Sequence, residues 1–140
     1  MTLDKEMRMR HLMAALSDHD IEKVLSSVTD DVFYEEVTAG GAICRGKEEL
    51  RFRLQNLFAA FPDLQAKMTS YCASGDFECL ERISSGTHKG DIPGLPATGK
   101  RFSIRQVVIT NLKEDKISRI SVYSDSASLL QQLGALPSSD

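Results

Sequence analysis

Between residues 3 and 16 the apolar positions Leu3, Met7, Met9, Leu12, Met13 and Leu16 recur at intervals that fit one helical face. Ser17, Asp18 and Asp20 are capping candidates for a second short helix carried by Ile21, Val24, Leu25 and Val28. The stretch DVFYEEV, residues 31–37, is β-branched and aromatic; it predicts a strand that TAGG ends. Gly46 precedes the strongest helix, KEELRFRLQNLFAAFPDL. Its stripe is Leu50, Leu54, Leu57, Phe58 and Phe61, and Pro62 stops it.

Beyond that proline the period becomes strand-like. Residues 64–73 and 76–85 flank Ser-Gly and predict a hairpin. RFSIRQVVITNL, residues 101–112, predicts a long strand, with KEDK as a tight turn into a last strand over 117–125. A tail helix, SASLLQQLGAL, ends at Gly134, a natural residue just past a helix. This order is that of an α+β fold with a largely antiparallel sheet. No repeat, low-complexity tract or linker divides it, so one domain over 1–140 is expected.

Composition narrows the partners. The 140 residues are 41% hydrophobic and 26% charged, with net charge −3 and no basic block. Nucleic acid and anionic membranes are therefore poor partners. The charged N-terminus MTLDKEMRMRHLMAAL has no apolar signal region, and no run is long enough to cross a bilayer, so a cytoplasmic location is expected. Cys44, Cys72 and Cys79 have no metal-type spacing. Cys72 and Cys79 can face each other across the hairpin, but reduced thiols are expected in the cytoplasm.

Several chemical motifs are absent. GGAICRGK lacks phosphate-loop spacing, no G-x-S-x-G elbow occurs, and no paired histidines suggest zinc. No metal site is expected, and His11 and His19 read as surface or capping residues. Asp125 ends the last strand, and strict alternation places it with Tyr123, Ser121, Arg119 and Ile117. Before a helix, an aspartate is first of all an N-cap; that role is favoured on residue type but does not exclude catalysis. His88 sits in GTHKGDIPGLPATGKRF, residues 86–102. Simple alternation sends His88 and Arg82 outward, although burial of both sheet faces leaves the question open.

The blocks FAAFPDL, GTHKGDIPGLPATGKRF and DKISRISVYSDSASLLQQLG, in this order and spacing, resemble the SnoaL-like polyketide cyclases of the nuclear transport factor 2-like superfamily. With the opening helices and DDVFYEEV, the resemblance covers nearly the whole chain. It implies a curved antiparallel sheet wrapped around helices as a cone with a ligand pocket, and a homodimer packed through the sheets. It also implies intramolecular aldol ring closure without metal or organic cofactor. The family's catalytic aspartate falls on Asp125, whose desolvation would raise its pKa and suit it to proton transfer. His88 falls on the G-T-H-x-G histidine, expected to orient Asp125 or polarise a carbonyl. Tyr34, Phe58, Arg82, Arg105, Ser121 and Tyr123 are the candidate substrate contacts.

The chain departs from the family in having no tryptophan, in Ser121 and Ser124 near the last strand's end, and in Arg82. With Arg82 facing the pocket, an anionic or smaller, more polar ligand would fit better than a flat polycycle. An enzyme moving a proton beside a carbonyl, for ring closure or a double-bond shift, is the preferred reading. A non-catalytic small-molecule-binding domain is the alternative. Epoxide hydrolysis ranks third, for want of a second inward aspartate.

Overall fold

The computed structural model describes residues 2–38 and 40–136, without side chains for residues 2 and 3. Helix α1 (Thr2–Ser17) buries Met9, Leu12, Met13 and Ala15. Met7 was expected on this face but is 46% exposed, and the side chain of Leu3 lies outside the described residues. Asp20 caps α2 (Ile21–Leu25) by accepting the Lys23 N–H at 3.1 Å. This helix lasts little more than a turn. Val28, expected within it, instead opens strand β1 (Val28–Glu36).

A three-residue strand, β2 (Ile43–Arg45), was not expected; it is too short to display alternation. Helix α3 (Lys47–Ala60) starts after Gly46 and stops before Pro62 as its sequence predicts. Strands β3 (Gln65–Ser74) and β4 (Phe77–Thr87) form the hairpin across Gly75 and Asp76. Strands β5 (Arg101–Lys113) and β6 (Lys116–Ser124) follow, then the short helix α4 (Ser126–Gln132). Among the described residues no helix is long and apolar enough to cross a membrane.

The fold is α+β, with one curved, unclosed six-stranded sheet in the order β2-β1-β6-β5-β4-β3. Every pairing is antiparallel except β1 with β6, which is parallel. The core lies between the concave face and the helices. Phe102, Ile104, Val108 and Leu112 of β5 point into it, together with Leu50, Leu54 and Phe58 of α3.

Strand parity corrects two expectations. Leu80, Ser84, Gly86 and His88 are buried, so the β4 face that also carries Arg82 is the inward one. On β6, a register shift opposite Asn111 and Leu112 lets Ile117 enter the core while Arg119 faces out. The uniform face expected for Ile117 through Asp125 is therefore broken.

The segment between β4 and β5 is docked at both ends. The His88 N–H donates to the Lys100 carbonyl at 2.9 Å, and the Gly99 N–H returns to the His88 carbonyl at 2.8 Å. The N–H groups of Lys89 and Gly90 both donate to the Ala60 carbonyl at 3.0 Å, closing the free end of α3. A Cβ on Gly90 would lie 2.4 Å from the Ala59 carbonyl oxygen, so this approach requires glycine.

Candidate functional site

Cross-strand register sets the candidate site in rows across the concave face. One row runs Met68, Arg82, Gln106, Ser124 through β3, β4, β5 and β6. The next carries Leu80, Val108, Val122 and Glu36, and a third Glu78, Thr110, Ile120 and Tyr34. Polar side chains thus recur on a face that strand alternation would otherwise fill with apolar ones.

Arg82 Nε donates to Gln106 Oε1 at 2.7 Å. Because arginine has no acceptor, the Gln106 oxygen must face it, and the amide nitrogen then donates to Ser124 Oγ at 2.7 Å. Ser124 keeps its own hydroxyl proton to donate. Arg82 Nη1 also lies 3.8 Å from Met13 Sδ, a weak acceptor. Among the described residues no carboxylate forms an ion pair with Arg82. Desolvation lowers the guanidinium's pKa below the ordinary arginine value, while Tyr34 and Glu36 act in the opposite direction. A flat sheet would hold strands three apart at about 14 Å. Curvature brings the β1 groups into electrostatic range of β4.

Glu36 centres a second cluster. Its Oε2 accepts from the Tyr34 hydroxyl at 2.8 Å and from Arg53 Nε and Nη2 at 2.8 and 2.7 Å. Burial first, and then the charge of Glu36, push the Tyr34 phenol well above its ordinary value. Burial lowers the Arg53 pKa, but Glu36 and Tyr34 raise it by more. A recess of about 470 Å³ between β2 and α3 reaches Arg53, beside Cys44, Phe52 and Asn56. A separate cavity of about 380 Å³ lies between α1, α2 and the β5–β6 turn, away from these clusters. Its lining includes Glu78, whose carboxylate accepts from Tyr71 and Thr110.

The remaining sequence candidates are dispersed. Asp125 is exposed, not desolvated: its carboxylate accepts the Ser128 N–H at 3.0 Å and caps α4. Tyr123 is 43% exposed and Arg105 is exposed; both lie on the outer sheet face. Ser121 is buried but shares that outer side, beneath Arg119. Phe58 is stacked on His19 at 4.0 Å, and His19 Nε2 bonds the Leu64 carbonyl at 3.1 Å. These contacts make His19 a packed structural residue and tie up the Phe58 ring.

His88 is fully buried, and its Nδ1 meets Thr98 Oγ1 at 3.0 Å and accepts the Thr98 N–H at 3.2 Å. Among the described residues no partner reaches Nε2. Its backbone pairs at Lys100, whereas Ser124 pairs with Gln106, leaving Asp125 beside Arg105. The two sites are about five residues, or roughly 17 Å, apart along β5. His88 therefore braces the loop instead of orienting Asp125.

The family model of the SnoaL-like polyketide cyclases matches residues 6–133. The chain belongs to that family. This SnoaL-like chain is similar to the structure of TsrD from Streptomyces laurentii, with 26% identity, TM-score 0.81, and coverage of 94% and 95% of the two chains. It is also similar to a Catenulispora acidiphila protein with a ketosteroid isomerase-like fold in complex with trimethylamine. There the identity is 21%, the TM-score 0.77, and coverage 89% of each chain. An M. tuberculosis LEH-like epoxide hydrolase aligns at 18% identity and TM-score 0.75, over 94% of this chain and 90% of the other. No curated protein matches this chain in sequence. The SnoaL-like family supports an enzyme-like small-molecule scaffold, and these structures share its fold.

Glu36, Arg53, Gln106 and Ser124 were missed as site residues in the sequence. The available signal was the Tyr-x-Glu spacing on β1, which puts Tyr34 and Glu36 on one strand face.

Proposed function

We propose that this chain is an acid–base enzyme for a small carbonyl-containing molecule of mixed polarity, catalysing aldol-type ring closure or a double-bond shift. The observation that carries the reading is Arg82, a desolvated guanidinium without a carboxylate partner among the described residues. Such a charge favours an electron-rich oxygen beside it. A substrate carbonyl that becomes an enolate meets that need, and the interaction strengthens as charge develops. Met13 and Met68 flank Arg82, and their unbranched side chains can repack around a ligand. Asp125, one residue beyond the row of Arg82 and Ser124 where the chain leaves β6 for α4, serves as the proton carrier in this reading. In this reading the bound substrate, not the fold, supplies its desolvation.

The test is proton exchange at the carbon between the carbonyls of a cyclic β-keto ester, followed by NMR in deuterated buffer. Arg82→Met should lower kcat/KM about 10²–10³-fold, the scale of losing one oxyanion donor. Asp125→Asn should abolish exchange while ester binding persists. Wild-type exchange that neither substitution changes would sink the proposal.

The exposure of Asp125 favours a second reading, a non-catalytic binding domain using the same interior. It predicts Arg82-dependent affinity without exchange. Epoxide hydrolysis stays third, because the inward rows hold Arg82, Gln106 and Glu36 in place of two aspartates. A homodimer through the outer sheet face belongs to the same proposal. Ile83 and Tyr123 are exposed there between Glu81 and Arg105, whose opposite charges suit a self-complementary contact. Light scattering of Tyr123→Glu should then give a monomer.

A further inference from the structure

Cys72 on β3 and Cys79 on β4 are directly opposed Cα partners of the antiparallel ladder. Opposed residues place their side chains on the same sheet face, with Cα atoms about 4.5–5.5 Å apart. That interval falls within the roughly 4.4–6.8 Å spanned by a disulfide. Both thiols are free, Cys72 exposed and Cys79 half-buried. Cys44 is buried on β2, at the opposite edge of the sheet from β3, so it does not compete. Burial pushes the Cys79 thiol up, and the charges of Cys72 and Glu81 push it further. Cys72 is consequently the more accessible thiol for a first attack.

We propose that Cys72 and Cys79 form a thiol–disulfide exchange site for low-molecular-weight disulfides of the glutathione type. The Cys72 thiolate attacks one sulfur of the small disulfide and releases one small thiolate. A mixed disulfide remains on Cys72. The Cys79 thiolate then attacks the Cys72 sulfur, expels the second small thiolate and closes the cross-strand bridge. Both protein thiols are oxidised, the small disulfide is reduced to two thiols, and the protein's two protons pass to solvent and the departing thiolates. The bridge ties edge strand β3 to β4 at their tip. It does so next to Tyr71, whose hydroxyl donates to Glu78 inside the sheet. The site is independent of Arg82 and Asp125.

The full chain is incubated with oxidised glutathione, alkylated, and mapped without reduction. The expected product is a chain that has lost two hydrogens and carries an internal Cys72–Cys79 cross-link, with Cys44 alkylated only after unfolding. Cys79→Ser should instead retain one glutathione on Cys72, with at least about tenfold more mixed disulfide than wild type. Circular dichroism verifies that this variant is folded. A persistent mixed disulfide in wild type, a cross-link between two chains, or two thiols that stay free would each overturn the proposal.

Discussion

His88 Nδ1 accepts the Thr98 N–H at 3.2 Å, joining the two ends of the glycine-proline segment through one buried ring. The ring's hydrogen therefore sits on Nε2. His88→Ala removes both the acceptor and a core side chain packed near Phe61. Urea unfolding should show a loss of about 2–4 kcal/mol. An unchanged midpoint would remove the bracing role assigned to this residue.

The Asp125 cap separates stability from chemistry. Asparagine caps a helix about as well as aspartate, so Asp125→Asn should unfold within roughly 0.5 kcal/mol of wild type. Asp125→Ala should cost about 1 kcal/mol, because the Ser128 N–H loses its acceptor. Thermal unfolding of both variants checks this ordering; equal losses would argue against the cap.

Glu36→Gln takes the charge from beside Tyr34 and Arg53. Breaking this half-buried pair should cost about 1–3 kcal/mol, less than a fully buried pair would. It should also bring the Tyr34 phenol part of the way back toward its ordinary value, because burial, the larger cause, remains. Tyrosinate absorbance during alkaline titration measures the change. No movement would place Tyr34 outside the influence of Glu36.

Asp63 supplies an acid-side dependence. Its two oxygens accept the Thr87 N–H and hydroxyl, each at 2.7 Å. The Thr87 hydroxyl bond chiefly holds its pKa below the ordinary carboxylate value, against a smaller opposing effect of burial. A folded-state pKa depressed in this way stabilises above the unfolded value, about pH 3.9, and loses that contribution as pH falls through the folded one. Solvent keeps the effect modest, since 44% of the side chain is exposed. Stability curves of wild type and Asp63→Asn should therefore converge as pH drops below about 4. Parallel curves would contradict the assignment.

The large elements were legible because each had either a long apolar stripe or a clear punctuation mark. Pro62 stopping α3 and Gly134 following α4 are cases in point. Strand β2 carried too few residues to show a period. Arg82 was harder, because its own strand alternates ambiguously, with Glu78 buried on the inner face and Ile83 exposed on the outer one. Only the register that sets Arg82 beside Gln106 and Met68 fixes its direction. Asp125 shows the opposite limit. Its family position and its helix-capping chemistry were both readable, but its exposure depends on how α4 turns away from β6.

The parallel pairing of β1 with β6 also governs how the chain assembles during synthesis. A nascent chain ending at Lys113 already carries every partner of β3 and β4 and one of the two partners of β5, yet it offers Val28–Glu36 only the three residues of β2. The early segment must wait for the ribosome to deliver β6, about eighty residues further along the chain. Closure across so long a stretch is slow relative to hairpin formation, which leaves Val32 and Tyr34 among the last groups to find shelter.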